Sequence, residues 1–138
     1  MMPIDIAKYL DSLGIGVYDE LSGSTNPNNN IFIGIMPQEP QDIILINQYA
    51  GEQPLHKVLD DIQRPGLQIK CRAKYYDYAI AKAEEINLAL DQYSGEINGK
   101  YYVEIRAVQS PFLLEQDKNE CVVFCQNFMT AIRQLAKM

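Results

Sequence analysis

Leu67-Gln68-Ile69-Lys70-Cys71-Arg72-Ala73-Lys74 alternates without a break between apolar and polar residues. Successive side chains of a strand point to opposite faces. The stretch therefore reads as a strand with a dry face (Leu67, Ile69, Cys71, Ala73) and a wet face (Gln68, Lys70, Arg72, Lys74). The period then changes. Tyr76, Ala79, Ala83, Ile86 and Leu90 fall on one helical stripe, and Asp77, Glu84, Glu85 and Asp91 lie off it. A half-wet strand that feeds a helix with small residues on its inner stripe predicts a helix lying close on a sheet.

Towards the N-terminus, Ile6, Tyr9, Leu10 and Leu13 recur at helical spacing. Pro3 fits a first helical turn, Asp5 complements the positive helix end, and Gly14 supplies a stop. Residues 16–30 carry Ser22, Gly23, Ser24, Thr25, Asn26, Pro27 and the triplet Asn28-Asn29-Asn30 without apolar periodicity, which predicts a polar loop. A loop of this length is either functional or a connector. Residues 31–35 read as a short β-branched strand. Pro37 and Pro40 then fix an extended or turning path and remove ladder donors. Ile43-Ile44-Leu45-Ile46 has the run expected of a strand covered on both faces. Leu55, Val58, Leu59 and Ile62 have the spacing of a short helix or turn, which Pro65-Gly66 would end.

Towards the C-terminus, Asn98-Gly99 between apolar residues signals a two-residue hairpin, because both positions of a type I′ turn need positive φ. A strand over 101–108 is bent by Ser110-Pro111. A turn at 117–120 leads into an uncharged strand over 121–130, and 131–138 form a tail compatible with helix. Together these segments predict an α+β fold: a mainly antiparallel sheet of about five strands, with two main helices packed on one face. At 138 residues the chain fits one domain over 1–138, with the polar loop at 17–30.

Composition narrows the function. A hydrophobic fraction of 47% with 22% charged residues is that of a globular chain, not a disordered one. A net charge of −6 with scattered basic residues argues against specific nucleic-acid binding, which needs clustered Lys and Arg. Lys70, Arg72 and Lys74 come nearest to a cluster and read as the solvated face of one strand. No segment reaches the ~18 apolar residues that span a bilayer, and Asp5, Lys8 and Asp11 interrupt the N-terminus too early for a signal peptide. Three cysteines without an export signal suggest a reducing compartment.

Chemistry-bearing constellations are lacking. His56 is the one histidine and sits in a polar stretch, where a solvated imidazole is expected. Cys121 and Cys125 on a strand would stand ~13 Å apart at ~3.3 Å per residue, too far to share a metal; both read as small buried hydrophobes. Glu84 and Glu85 are adjacent on a helix and point apart. No phosphate cradle follows Gly14 and Gly16. The expectation is a protein without catalytic, cofactor or metal residues. Nine tyrosines are the more suggestive feature, with Tyr75, Tyr76 and Tyr78 grouped at a helix start and one of Tyr101 and Tyr102 turned outward. Interfaces are enriched in Tyr, although lining the core rim would account for most of these.

Several elements, in order, resemble a known family. Asp5-Ile6-Ala7-Lys8-Tyr9-Leu10 with Leu13-Gly14 looks like the opening helix of phage minor capsid proteins of the tail-terminator (tail-completion) kind. Ile33-Gly34-Ile35-Met36-Pro37 with Pro40 and Asp42, then Tyr49-Ala50-Gly51 with Pro54, are similar to its next signatures. Pro65-Gly66-Leu67-Gln68-Ile69 with Arg72, Tyr75, Ala79 and Lys82-Ala83 looks like its central strand and helix. Ile97-Asn98-Gly99, Tyr101-Tyr102, Ala107, Ser110-Pro111, Asp117 and Asn127-Phe128 match its closing strands. The sequence departs from the family in its longer polar stretch at 14–30 and in Lys118-Asn119-Glu120, where a glycine and a basic residue are usual.

The resemblance implies a structural protein that caps the head-proximal end of the tail tube and helps join tail to head. It implies a homo-oligomeric ring, hexameric in the family, that contacts the major tail protein and a neck or connector protein. It also implies a place in the virion after synthesis in the bacterial host cytoplasm, with no membrane and no specific nucleic acid. Asn26, Pro27, Asn28, Asn29, Pro37, Pro40, Tyr75 and Pro111 are the candidate interface residues. A head-side neck protein (stopper or adaptor) and a host-type protein-binding module are the alternatives.

Overall fold

The computed structural model describes residues 2–19, 29–38, 40–52, 62–116 and 120–134. Among these residues two helices, α1 (Met2–Ser12) and α2 (Tyr76–Leu90), accompany seven strands. These are β1 (Ile31–Ile33), β2 (Ile43–Glu52), β3 (Ile62–Ala73), β4 (Tyr93–Ile97), β5 (Lys100–Ala107), β6 (Phe112–Gln116) and β7 (Val122–Gln134). They form one sheet in the order β1-β2-β3-β7-β5-β4, with β6 also on β7. All pairs are antiparallel except β1 with β2.

The α+β class and the antiparallel bias agree with the sequence reading; the count of seven strands corrects the expected five or so. β4 is the strand that the Asn98-Gly99 turn requires on its N-terminal side; it went uncounted because it is short and interrupted by Gly95. β6 was hidden because it is exposed on both faces and so shows no alternation.

The strand predicted from 67–74 is the central β3, between β2 and β7. Its dry face is as read: Leu67, Ile69, Cys71 and Ala73 are all buried. They join Ile44 and Ile46 of β2, Phe124 and Phe128 of β7, Ile6 and Leu10 of α1, and Ala79, Ala83, Ile86 and Leu90 of α2 in one core. Burying each large aliphatic side chain here contributes about 1.5–3 kcal/mol. α1 packs on β1 and β2 at one end of the strand order and on β4 at the other, so the sheet curls round its helix layer.

The wet face is wet only in part. Arg72 is buried, which corrects its reading as a solvated residue. The chain between β1 and β2 crosses that face, and the Arg72 guanidinium donates to the carbonyls of Gln38, Pro40 and Gln41 at 3.2, 2.8 and 3.0 Å. The two prolines had removed local ladder donors from this segment, so a long planar donor from β3 takes its carbonyls instead.

Pro65-Gly66 does not end an element. Both lie inside β3, where the β2 register shifts between Tyr49 and Glu52. A bulge is where a central strand tolerates proline, and the Pro65 carbonyl accepts Thr130 Oγ1 at 2.6 Å. Ile62 opens β3, so its predicted helical role is corrected; Leu55, Val58 and Leu59 lie outside the described residues. Residues 131–134 extend β7, against the expected helical tail.

Local signals hold elsewhere. Gly14, at φ +78°, closes α1 with the paired bonds Ile15 N–H to Leu10 O and Gly14 N–H to Asp11 O, a Schellman stop. Asn98 and Gly99 have φ of 51° and 81°, the type I′ signature, between β4 and β5. Leu13 falls past the end of α1 and is exposed.

Candidate assembly surfaces

One polar group read from the sequence as complementing a helix end has a further role that the sequence reading missed. Asp5 of α1 is fully buried. It accepts hydrogen bonds from Asn98 Nδ2 (2.8 Å), Lys100 Nζ (3.0 Å) and Tyr102 Oη (2.8 Å), all on the β4–β5 hairpin. Each carboxylate oxygen has a donor, and burial with the adjacent carboxylate pushes the Tyr102 phenol well above its ordinary pKa. A carboxylate closed off from solvent and held by three donors of one hairpin fastens α1 to that hairpin. The signal was an acid one helical turn from the apolar Met2 and Tyr9.

The cysteines are buried thiols; burial raises Cys71 to about 12, against the opposing pull of Lys82. Among the described residues no group of His, Cys, Asp and Glu is placed to hold a metal. A concavity lined by Asp42, Cys71, Arg72, Tyr78 and Lys82 encloses about 10 Å³, about enough for one water molecule. His56 lies outside the described residues. No helix among them is long and apolar enough to cross a membrane.

The candidate interface residues are placed unevenly. Asn26, Pro27 and Asn28 lie outside the described residues. Asn29 is buried, and its carboxamide oxygen accepts Asp19 N–H at 3.2 Å. Asn30 does the same for Val17 N–H at 2.7 Å, while Val17 O takes the N–H groups of Asn30 and Ile31. These bonds draw together the two ends of the predicted loop. Pro37 is half-buried and Pro40 exposed on the segment held by Arg72. Tyr75 is 68% exposed at the start of α2, with the Lys74 ammonium 5.8 Å from its ring centroid. Pro111 is half-buried where β5 gives way to β6.

Strand register brings the described ones other than Pro111 to one end of the sheet. Ile31 pairs with Ile44, and Ile44 N–H bonds Asn30 O, so the loop base lies where β2 begins. Ile43 pairs with Arg72, and Lys74 N–H bonds Asp42 Oδ1, which sets the proline segment against the β3–α2 corner and Tyr75. Ala73 pairs with Val122 and Val122 with Gln116, which adds the end of β6 and the start of β7. The Asp5 cluster holds the opposite end. The loop base, Pro40, Tyr75 and these strand ends thus form one polar and aromatic rim. Pro111 stands part way along the edge.

A family model described as bacteriophage tail terminator protein matches residues 9–134. No curated protein matches the sequence. Among solved structures, a chain of the virion of a native gene transfer agent particle is similar over 94% of this chain and 94% of its own, at 10% identity and a TM-score of 0.60. A second solved chain is similar over 99% of this chain and 100% of its own, at 9% identity and a TM-score of 0.54. At these identities the two structures are alike in fold. The family match runs from the middle of α1 to the last residue of β7, and on it the chain belongs to the bacteriophage tail terminator protein family.

Proposed function

We propose that the protein is a structural component of the virion that caps the head-proximal end of the phage tail tube and helps join tail to head, without catalysing a reaction. The observation that carries the reading is the gathering of loop base, proline segment, Tyr75 and β6–β7 hairpin at one end of the sheet, in a chain of the tail terminator family. A capping subunit needs separate contacts to its neighbours in a ring, to the tube below and to the neck above. A rim built from separate segments offers them, while the core and the Asp5 cluster hold the frame.

The expected assembly is a homo-oligomeric ring, with six subunits by family resemblance, touching the major tail protein and a connector protein. Heterologous contacts close into a ring only at the matching rotation. Asn26, Pro27, Asn28, Pro37, Pro40, Tyr75 and Pro111 are its proposed contact residues, with Asn29 bracing the loop base. A chain of net charge −6 also offers little attraction to DNA passing through the ring.

The test is electron microscopy of particles from the parent phage with this gene deleted. Overlong or irregular tails, unattached to filled heads, are expected. Normal tails beside heads that have lost their DNA would move the protein to the head side of the neck. Normal infectious particles would refute a structural role.

A further inference from the structure

The β5–β6 edge has a step in it. β7 is flanked by β5 from Phe128 to Gln134 and by β6 from Val122 to Cys125. Beyond β5 lies β4; beyond β6 no strand lies among the described residues. A strand-width slot therefore stands beside β6, in line with β4 and stopped at its inner end where Asp91 Oδ1 accepts Ala107 N–H at 2.8 Å. Outside the β7 ladder, the backbone of 112–116 makes no hydrogen bond to another described backbone group, so its outward N–H and C=O groups point into the slot.

The side chains of β6 are as open as its backbone. Phe112, Leu113 and Leu114 are 37%, 51% and 43% exposed, and Val108 just before them 55%. Phe112 pairs with Cys125 and Leu113 with Phe124, so consecutive apolar side chains stand on opposite faces of the edge. Natural edge strands are guarded by lysine, proline or a cover. β6 contains neither lysine nor proline, and the one bulge in its pairing lies between Leu113 and Glu115. An edge left apolar on both faces with its backbone open fits the addition of one more strand.

Charge selects the occupant. Between Phe112 and Val122 the described charges are Glu115 and Glu120, both exposed; Arg133 lies at the far end of β7, and Asp77 is exposed in the first turn of α2. α2 packs on β3 and β7, and its Tyr76 stands edge-on, at 5.1 Å, to Phe124 of β7, the residue paired with Leu113 of β6. A second copy would bring another β6 carrying the same acid, in a chain of net charge −6. Like charges across paired strands destabilise; opposite charges stabilise.

We infer that β6 receives, as an added strand, an extended segment of a different virion protein. That segment alternates apolar residues with lysine or arginine and sets a basic side chain opposite Glu115. The inference rests on the structural-virion reading above and deepens it by naming the chemistry of one partner.

The test places a photo-reactive amino acid at Leu113 in the full chain, supplied during infection by the parent phage, with Glu115→Lys as a second variant. Purified particles are irradiated and the crosslinked peptides sequenced by mass spectrometry. The expected result is a crosslink from residue 113 to an alternating apolar and basic stretch of another virion protein, with Glu115→Lys chain incorporated at least tenfold less while its melting temperature in isolation is unchanged. A crosslink to another copy of the chain, or particles that contain the chain but show no crosslink from position 113, would overturn this inference and leave the structural role standing. Particles that never contain the chain would overturn both.

Discussion

Replacing Asp5 with alanine removes the one acceptor shared by three donors on the β4–β5 hairpin, and the cost follows from what each donor can do afterwards. Tyr102 is fully buried, so its hydroxyl is left without a partner. An orphaned buried polar group costs about 1–3 kcal/mol. The Lys100 side chain is 21% exposed and can turn to water, so its lost ion pair is worth no more than about 1 kcal/mol. Asn98 is exposed and its share is about 0.5 kcal/mol. The sum is about 3 kcal/mol, which in a chain of this size lowers the melting temperature by roughly 10 °C. A chain with typical stability of about 5–15 kcal/mol stays folded. Urea denaturation of wild type, Asp5→Ala, Tyr102→Phe and the double variant measures both the loss and its origin. Because Tyr102→Phe removes the orphan, the double variant should be more stable than the sum of the single effects predicts, by about 1–2 kcal/mol. A loss below about 1 kcal/mol for Asp5→Ala, or additive effects in the cycle, would refute the assignment of Asp5 as the fastener of α1.

Two further outcomes are expected. A Cβ on Gly66 would stand 2.5 Å from the Tyr49 ring, whose hydroxyl donates to Phe128 O at 3.4 Å, so Gly66→Ala must displace that ring. It should cost about 1–3 kcal/mol, and trimming the ring with Tyr49→Ala in the same chain should relieve part of the loss, as read by thermal melts. Stability should also fall in alkali. Burial raises Cys71 from 9.0 to about 12, and burial with the Asp5 contact raises Tyr102 above 10.0. Above pH 9 the unfolded chain gives up protons that the folded chain keeps, so stability is full below pH 9 and declines as pH rises towards 12. The slope approaches about 1.4 kcal/mol per pH unit for each such group; Cys71→Ala should flatten it between pH 9 and 10, and an unchanged slope would contradict the burial of that thiol.

Elements were legible in the sequence where one local pattern dominated. The 67–74 alternation, the Ala79–Ala83–Ile86–Leu90 stripe, the Gly14 stop and the Asn98-Gly99 turn each state a local requirement that tertiary packing did not override. Ile43 to Ile46 read as doubly covered because they are: all four are buried. The misreadings share a cause, which is long-range pairing. Pro65 sits in a central strand because a bulge opposite Tyr49–Glu52 accommodates it, and no window around Pro65 contains β2. Arg72 alternated as a surface residue but is buried by a crossing segment more than 30 positions earlier. The interface candidates were chosen for loop and turn composition. Composition picked out Tyr75 and Pro40, which are exposed, but cannot distinguish an exposed asparagine from the buried Asn29, whose carboxamide oxygen accepts Asp19 N–H.

β6 is the clearest case of what local pattern does not carry, and the reason bears on function. Sequence periodicity reports a strand when one of its faces is buried, since burial separates apolar from polar positions. Phe112-Leu113-Leu114 has apolar residues on both faces and neither face covered, so by that rule it is no strand of a finished monomer. The same three residues would be ordinary in a strand covered on both faces, as Ile43 to Ile46 are in β2. The sequence at 112–114 therefore suits an environment that the described residues do not supply. Leaving such an edge open carries a standing risk of unspecific pairing. That cost is reasonable where the exposed state is brief and a particular neighbour ends it, as in a subunit made to be built into a particle.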